Sequence, residues 1–229
     1  MAGLKPVLYA ASVAPLADDE LCAAAYAAAS PARREKTDRF RFARDRRLSL
    51  GAELLLRHAL RTEGLDEVPM LFDYGAQGKP RFKDSDVYFN LSHSEEYVLC
   101  AFAPYEVGCD VEQITPIDLN IARRFFFHSE YDDIAAQMTE AARNDLFFRY
   151  WTLKESFLKV TGLGMKLPLD AFEIVRGTDI AVRQSVDERK YSFAEFDELS
   201  GYRCALCAAG DCRSAVLHKV DLEEILLPR

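Results

Sequence analysis

The segment YFNLSHSEEYVLCAFAPYEVGCDVE, Tyr88 to Glu112, is apolar through most of its length but carries NLSHS at one end and DVE at the other. Its runs Val87–Leu91, Tyr97–Ala103 and Val107–Val111 read as short strands, rich in β-branched and aromatic residues and separated by polar breaks. On the last strand Asp110 and Glu112 are two apart, so their carboxylates share one face while Cys109 and Val111 point the other way. Unpaired acids on one face repel. Taken alone the pair reads as solvated at a strand edge or as facing a positive partner, either Lys/Arg or a hard divalent cation such as Mg²⁺, which takes one or two carboxylates together with substrate phosphate oxygens.

Working outward, a helical period runs from Ala43 to Leu60, and a further strand-like run lies at Met70–Tyr74. The second half of the chain repeats this order. A helix beginning at Asn144, NDLFFRYWTLKESFLKVTG, precedes strand-like runs at Ala171–Arg176, Tyr191–Phe196, Tyr202–Ala208 and Ala215–Val220. The offset between corresponding elements is about a hundred residues, a coarse internal duplication. The pattern predicts an α+β protein of two similar α/β subdomains, each a long helix with a small antiparallel sheet, related by a pseudo-twofold axis. The expected division is 1–112 and 113–229, the second part including linking helices within 113–140. In that link Ser129 is the expected N-cap of a helix whose first turn holds Glu130, Asp132 and Asp133.

Composition narrows the class. A chain of 229 residues that is 49% hydrophobic and 29% charged can bury a large core, and a net charge of −8 argues against general nucleic-acid binding. No apolar run approaches the length of a membrane span, and the first residues lack the features of a signal peptide, so a cytoplasmic protein is expected. A basic island between Pro31 and Arg47 reads chiefly as a solvated helix face from which one or two side chains meet a small polyanion. Cys204 and Cys207 fall three apart on a strand, on opposite faces. That spacing opposes a zinc site, and the six cysteines read as reduced core thiols.

Within the second long helix Leu146, Tyr150, Leu153, Phe157 and Val160 form one inward stripe. Trp151, Lys154, Glu155 and Leu158 form a second set on a neighbouring face, and Gly162 and Gly164 stop the helix abruptly. GAQGKPRF is not a nucleotide-triphosphate loop, because G-x-x-x-x-G-K-[ST] is absent. Its Gly78 and Pro80 can still form a turn that fixes Lys79 as an anion contact. His93, with Ser92 and Ser94, offers imidazole and hydroxyl donors for a phosphate at a strand end. No G-x-S-x-G elbow is present for a serine hydrolase.

Taken in order, GKP, FNLSHS, VGCDVE, RRFFFHSE and WTLKESFLKVTGLG resemble the 4′-phosphopantetheinyl transferase superfamily, in its larger surfactin-synthetase-type branch with a pseudo-dimeric monomer. The resemblance implies transfer of the phosphopantetheine arm of coenzyme A to a serine of an apo acyl- or peptidyl-carrier protein, with release of 3′,5′-ADP. It implies Mg²⁺ held by Asp110, Glu112 and Glu130, with Lys154 on the pyrophosphate and Glu155 as the base. Lys79, Pro80, Ser92 and His93 would line the adenosine and 3′-phosphate end, and Arg47 and Lys159 match further basic positions of the family. Arg34 would be the counterpart of the family's 3′-phosphate lysines, and Ile117–Phe127 is either an apolar carrier-docking surface or, through its phenylalanines, part of the core. A monomer is expected, with neither nucleic acid nor membrane as partner. The alternative is a non-catalytic coenzyme A- or nucleotide-binding protein, against which the acids and the Lys154–Glu155 pair argue.

Overall fold

In the computed structural model, which describes residues 4–227, each half is built around a long helix. Helix α3 (Ala43–Thr62) packs Leu48, Leu55, Leu56 and Ala59 into the first core. It is preceded by strand β1 (Val7–Ser12), helix α1 (Asp19–Ala28) and helix α2 (Pro31–Asp38). It is followed by a hairpin of β2 (Phe72–Tyr74) and β3 (Pro80–Phe82), then by β4 (Tyr88–Ser94), β5 (Tyr97–Ala103) and β6 (Val107–Gln113). Short helices α4 (Leu119–Phe125) and α5 (His128–Ala135) link this half to α6 (Glu140–Thr161). After α6 come the hairpin β7 (Glu173–Val175) and β8 (Ala181–Arg183), then β9 (Ser192–Phe196), β10 (Tyr202–Ala208), β11 (Val216–Val220) and a closing helix α7 (Leu222–Leu226).

Helix α6 begins where Thr139 caps the Ala142 amide and ends where Gly162 adopts φ 71°, a left-handed conformation that suits glycine. Its expected stripe, Leu146, Tyr150, Leu153, Phe157 and Val160, is buried throughout. Consecutive strands pair antiparallel in β2–β3, β4–β5, β7–β8 and β9–β10, but the third main-sheet strand of each half does not stay at home. β6 pairs with β10, Val111 opposite Cys204, whereas β11 crosses to lie parallel to β1, Tyr9 opposite His218. The sheets are therefore β11-β1-β5-β4 and β6-β10-β9. Each half lends its last strand to the other.

The two sheets stack face to face between the long helices. On β1, Val7, Tyr9 and Ala11 pack toward α3, while Leu8 and Ala10 join Leu99, Val111 and Leu206 in a separate core between the sheets. Burial on both faces explains why Tyr97–Ala103 reads as a continuous apolar run with no polar alternation. Cys204 lies in the inter-sheet core and Cys207 in the core under α6, on opposite faces as their spacing predicts, and all six thiols are free.

Two local expectations change. Helix α5 starts two residues earlier than Ser129 implies, with Phe127 at the N-cap, because Glu130 at its third position turns back to accept the Phe127 amide at 3.0 Å. Ser129 instead donates to Glu173 at 2.6 Å. The run Ala171–Arg176 contributes only Glu173–Val175, paired with β8 in a hairpin apart from the main sheets. Among the described residues no helix is long and apolar enough to cross a membrane.

Candidate active site

Strand exchange brings the free edges of β4 and β6 together without ladder hydrogen bonds between them. Side chains stitch the seam instead. Asn90 Oδ1 accepts the Cys109 amide at 2.9 Å, Ser92 Oγ donates to Asp110 Oδ1 at 2.9 Å, and Ser94 Oγ donates to Glu112 Oε2 at 2.8 Å. The alternating polar residues of FNLSHS are therefore the fastening of two sheets, and they aim the acids of VGCDVE along the join.

Helix α6 lies directly over this seam. A Cβ on Gly108 would stand 2.2 Å from the Ser156 carbonyl oxygen and 2.5 Å from the Val160 nitrogen, so only glycine allows the helix backbone this close. The approach brings Lys159 over Asp110: its Nζ lies 2.7 Å from Asp110 Oδ1, 2.8 Å from Ser92 Oγ and 3.0 Å from the Cys109 carbonyl. Burial disfavours the ammonium, but Asp110 more than compensates and holds the Lys159 pKa above its ordinary value. One turn earlier on the same face is Glu155, raised by burial and then by the charge of Asp110. Glu112 is pushed up to about 7 by burial, then by Asp110. Three carboxylates thus crowd one ammonium. Asp110 Oδ2 is left as the one buried side-chain polar atom without a hydrogen-bond partner among the described residues.

Two adjoining cavities open beside the seam. One, of about 380 Å³, is walled by Arg33, Lys36, Ser49 and His93, and the other, of about 220 Å³, by Lys79, Glu155, Lys159 and Met165. They share Gly78, Pro80, Asn90 and Leu91, which makes them successive parts of one groove. At the first end burial, and then the charge of Lys159, lowers the His93 pKa, so the imidazole is neutral near neutral pH. Lys36 is likewise lowered, by burial and then by Arg33. An anion entering this end would relieve the crowding of the cations.

The structure thus gathers Pro80, His93, Glu155 and Lys159 along one groove, with Ser92, Asp110 and Glu112 on the seam beside it and Lys159 joining the two. Lys79 also lines it, but its ammonium is engaged by Glu106 at 2.8 Å and the Val107 carbonyl at 2.9 Å, so it anchors the GKP turn to the start of β6. Glu130 and Lys154 are elsewhere. They form an ion pair of 2.8 Å with both side chains sealed from solvent, and Lys154 also donates to the carbonyls of Leu169 and Phe172. Glu130 further accepts the Ile174 amide at 2.7 Å. Its carboxylate is saturated within the second half, so it does not join Asp110 and Glu112. No three acid, imidazole or thiol side chains among the described residues converge as a ready-made metal cage. Arg47 is half-buried on α3 and lines neither cavity, and Arg34 lies over the Tyr26 ring at 6.0 Å. Arg33 and Lys36, and not Arg34, line the first cavity; the sequence signal for them is their i, i+3 spacing after the Ser30 cap.

Residues 106–207 match the 4′-phosphopantetheinyl transferase superfamily, and residues 16–105 match the 4′-phosphopantetheinyl transferase N-terminal family. The chain is 36% identical over 201 residues to 4′-phosphopantetheinyl transferase Sfp of Bacillus subtilis (strain 168), covering 86% of this chain and 89% of that protein. The chain belongs to the 4′-phosphopantetheinyl transferase superfamily. A second relative, 4′-phosphopantetheinyl transferase gsp of Aneurinibacillus migulanus, is 35% identical over 162 residues, 70% of this chain and 68% of that one. Among solved structures, holo-[acyl-carrier-protein] synthase of Thermotoga maritima matches with a TM-score of 0.36 and 19% identity, over 45% of this chain and 61% of that chain. The protein is an Sfp-type phosphopantetheinyl transferase, and its activity is transfer of phosphopantetheine to carrier proteins.

Proposed function

We propose that this phosphopantetheinyl transferase carries out its reaction in the groove between Arg33–Lys36 and Glu155–Lys159. The 4′-phosphopantetheine arm of coenzyme A passes to a serine hydroxyl of an apo acyl- or peptidyl-carrier domain, and 3′,5′-ADP leaves. The observation that carries this reading is the unpartnered Asp110 Oδ2, buried beside Glu112 and Glu155. A crowded, all-oxygen, under-satisfied donor set fits a hard divalent cation such as Mg²⁺. Asp110 and Glu112 would hold the ion with Glu155 adjoining; when bound, it offsets charge on the pyrophosphate oxygens.

Every other part of the mechanism belongs to the chain. Arg33, Lys36 and His93 bind the nucleotide end of coenzyme A, and Pro80 with Leu91 forms the apolar middle of the groove. Lys159, in place of the buried Lys154, supplies the positive charge beside the pyrophosphate, its ammonium held there by Asp110, Ser92 and the Cys109 carbonyl. Ser92 orients Asp110. Glu155 takes the proton of the carrier serine as its oxygen bonds to the phosphorus of the arm, while the phosphorus–oxygen bond to the departing 3′,5′-ADP breaks. A general base at this position contributes about 10²–10⁴-fold. Exposed Ile121 and Phe125 on α4, flanked by Arg123 and Arg124, suit a carrier surface that is apolar with acidic edges. Both halves of the groove come from one chain, which suits a monomer, and six free thiols suit a reducing cytoplasm.

The test is intact-mass analysis of several apo-carriers incubated with the protein, coenzyme A and MgCl₂. At least one carrier gains the mass of the phosphopantetheine arm, EDTA suppresses the gain, and added Mg²⁺ restores it. Unmodified serines across fatty-acid, polyketide and nonribosomal-peptide carriers would overturn the reading.

A further inference from the structure

Helix α2 has little apolar surface with which to dock. Its sequence is PARREKTD, and Thr37 is its one buried residue. Polar contacts hold it on α3 at both ends. Near its C-terminal end, Thr37 Oγ1 and Ser49 Oγ share a hydrogen bond of 3.0 Å. At its start, Glu53 of α3 accepts five hydrogen bonds: from the Ser30 amide at 2.7 Å, Ser30 Oγ at 2.9 Å, Arg33 Nε at 3.1 Å, and Arg57 Nε and Nη2 at 3.0 and 2.9 Å. Glu53 is 3% exposed, so this carboxylate is a buried hub rather than a surface ion pair. Burial alone would raise its pKa, but the Ser30 amide and the two guanidinium groups outweigh burial and hold it below the ordinary value.

Glu53 engages Arg33 only through Nε, on the stem side of the guanidinium. Arg33 also lines the larger cavity, together with Lys36 one turn along the same edge of α2. We propose that Glu53 is a positioning residue: it orients α2 and Arg33 so that the cationic edge of the helix faces the groove, and it thereby sets affinity for the nucleotide end of coenzyme A. This inference rests on the reading of the groove given above. It assigns Glu53 no contact with reacting atoms. A simple field effect has the opposite sign, because removing a negative charge from the wall of an anion site would tighten binding.

The experiment titrates wild type, Glu53→Gln, Arg33→Met and the double variant with 3′,5′-ADP and with coenzyme A by calorimetry, without any carrier. Glu53→Gln should weaken both ligands by about tenfold, and in the Arg33→Met background the same change should cost less than about twofold. In turnover assays the loss should appear in KM, with kcat at saturating coenzyme A moving far less. Ser30→Ala removes the hydroxyl that bonds Glu53 and caps the Arg33 amide while leaving both arginines, so it should weaken binding in the same direction even if Glu53→Gln folds poorly. Unchanged or tighter binding in Glu53→Gln, or an equal loss in both backgrounds, overturns the inference. A wild type that binds neither ligand instead overturns the reading of the groove itself, and the inference falls with it.

Discussion

Lys154 and Glu130 form a sealed ion pair, 2.8 Å from ammonium to carboxylate with neither side chain exposed, although Glu155, the next residue in the chain, faces the groove. One helical step of 100° separates a core position from one that lines the groove. Lys154→Met leaves Glu130 buried without its counter-ion and should cost about 3–5 kcal/mol of stability. Lys159→Met removes the ammonium at Asp110 and should chiefly reduce turnover. Urea unfolding and carrier-loading assays on both variants separate the two. A fully stable Lys154→Met enzyme without turnover would return Lys154 to the active site.

Asp110 carries both the unsatisfied oxygen and the Lys159 contact. Asp110→Asn keeps its size and its place in β6 while removing the charge. The Mg²⁺ concentration giving half-maximal loading should rise by at least about tenfold. A variant with the wild-type Mg²⁺ dependence shows that the ion is held elsewhere.

Glu155→Gln preserves helix propensity and volume but cannot accept the serine proton. Turnover with a saturating carrier should fall by about 10²–10⁴-fold while coenzyme A affinity stays within about twofold. Wild-type kcat in this variant rules out Glu155 as the base.

At Gly108 the limiting contact is with helix backbone, which has no rotamer by which to escape. Gly108→Ala should therefore push α6 away from β6, destabilise the fold by about 1–3 kcal/mol and impair loading together with stability. Loss of neither would mean that the helix can shift without disturbing the pairing of Lys159 with Asp110.

The Glu53 hub predicts an acid-sensitive contribution to stability. Its folded pKa lies below its ordinary value of 4.5, so the folded state binds fewer protons than the unfolded state and stability rises with pH in this range. The contribution is fully present above that value and is lost as pH falls through the lower, folded pKa. The difference in unfolding free energy between wild type and Glu53→Gln should stay constant from neutrality down toward pH 5, then shrink as the solution is acidified further. A difference that stays flat into strong acid would show that the carboxylate gains nothing from its donors.

Sequence alone determined the local directions in this protein. Strand alternation put Asp110 and Glu112 on one face and Cys109 and Val111 on the other, and the helical period identified the buried stripe from Leu146 to Val160. The duplicated order of helix and strands, the separation of Cys204 from Cys207 and the motifs of the family were all legible for the same reason: each depends on the fixed geometry of a single element. Tertiary structure decided which elements meet. The exchange of β6 and β11 between sheets leaves no local trace, because a strand presents the same alternation to any partner. Yet that exchange creates the β4–β6 seam on which Ser92 and Asp110 meet. Lys154 and Lys159 are both lysines on one helix. Only the layer packed against each face made the first a core counter-ion for Glu130 and the second the ammonium at Asp110. Glu53 remained silent in the sequence because a lone acid on a helix is ordinarily solvated, and Lys36 was legible only as one member of a basic island; the docking of α2 on α3 encloses the first and turns the second toward the groove.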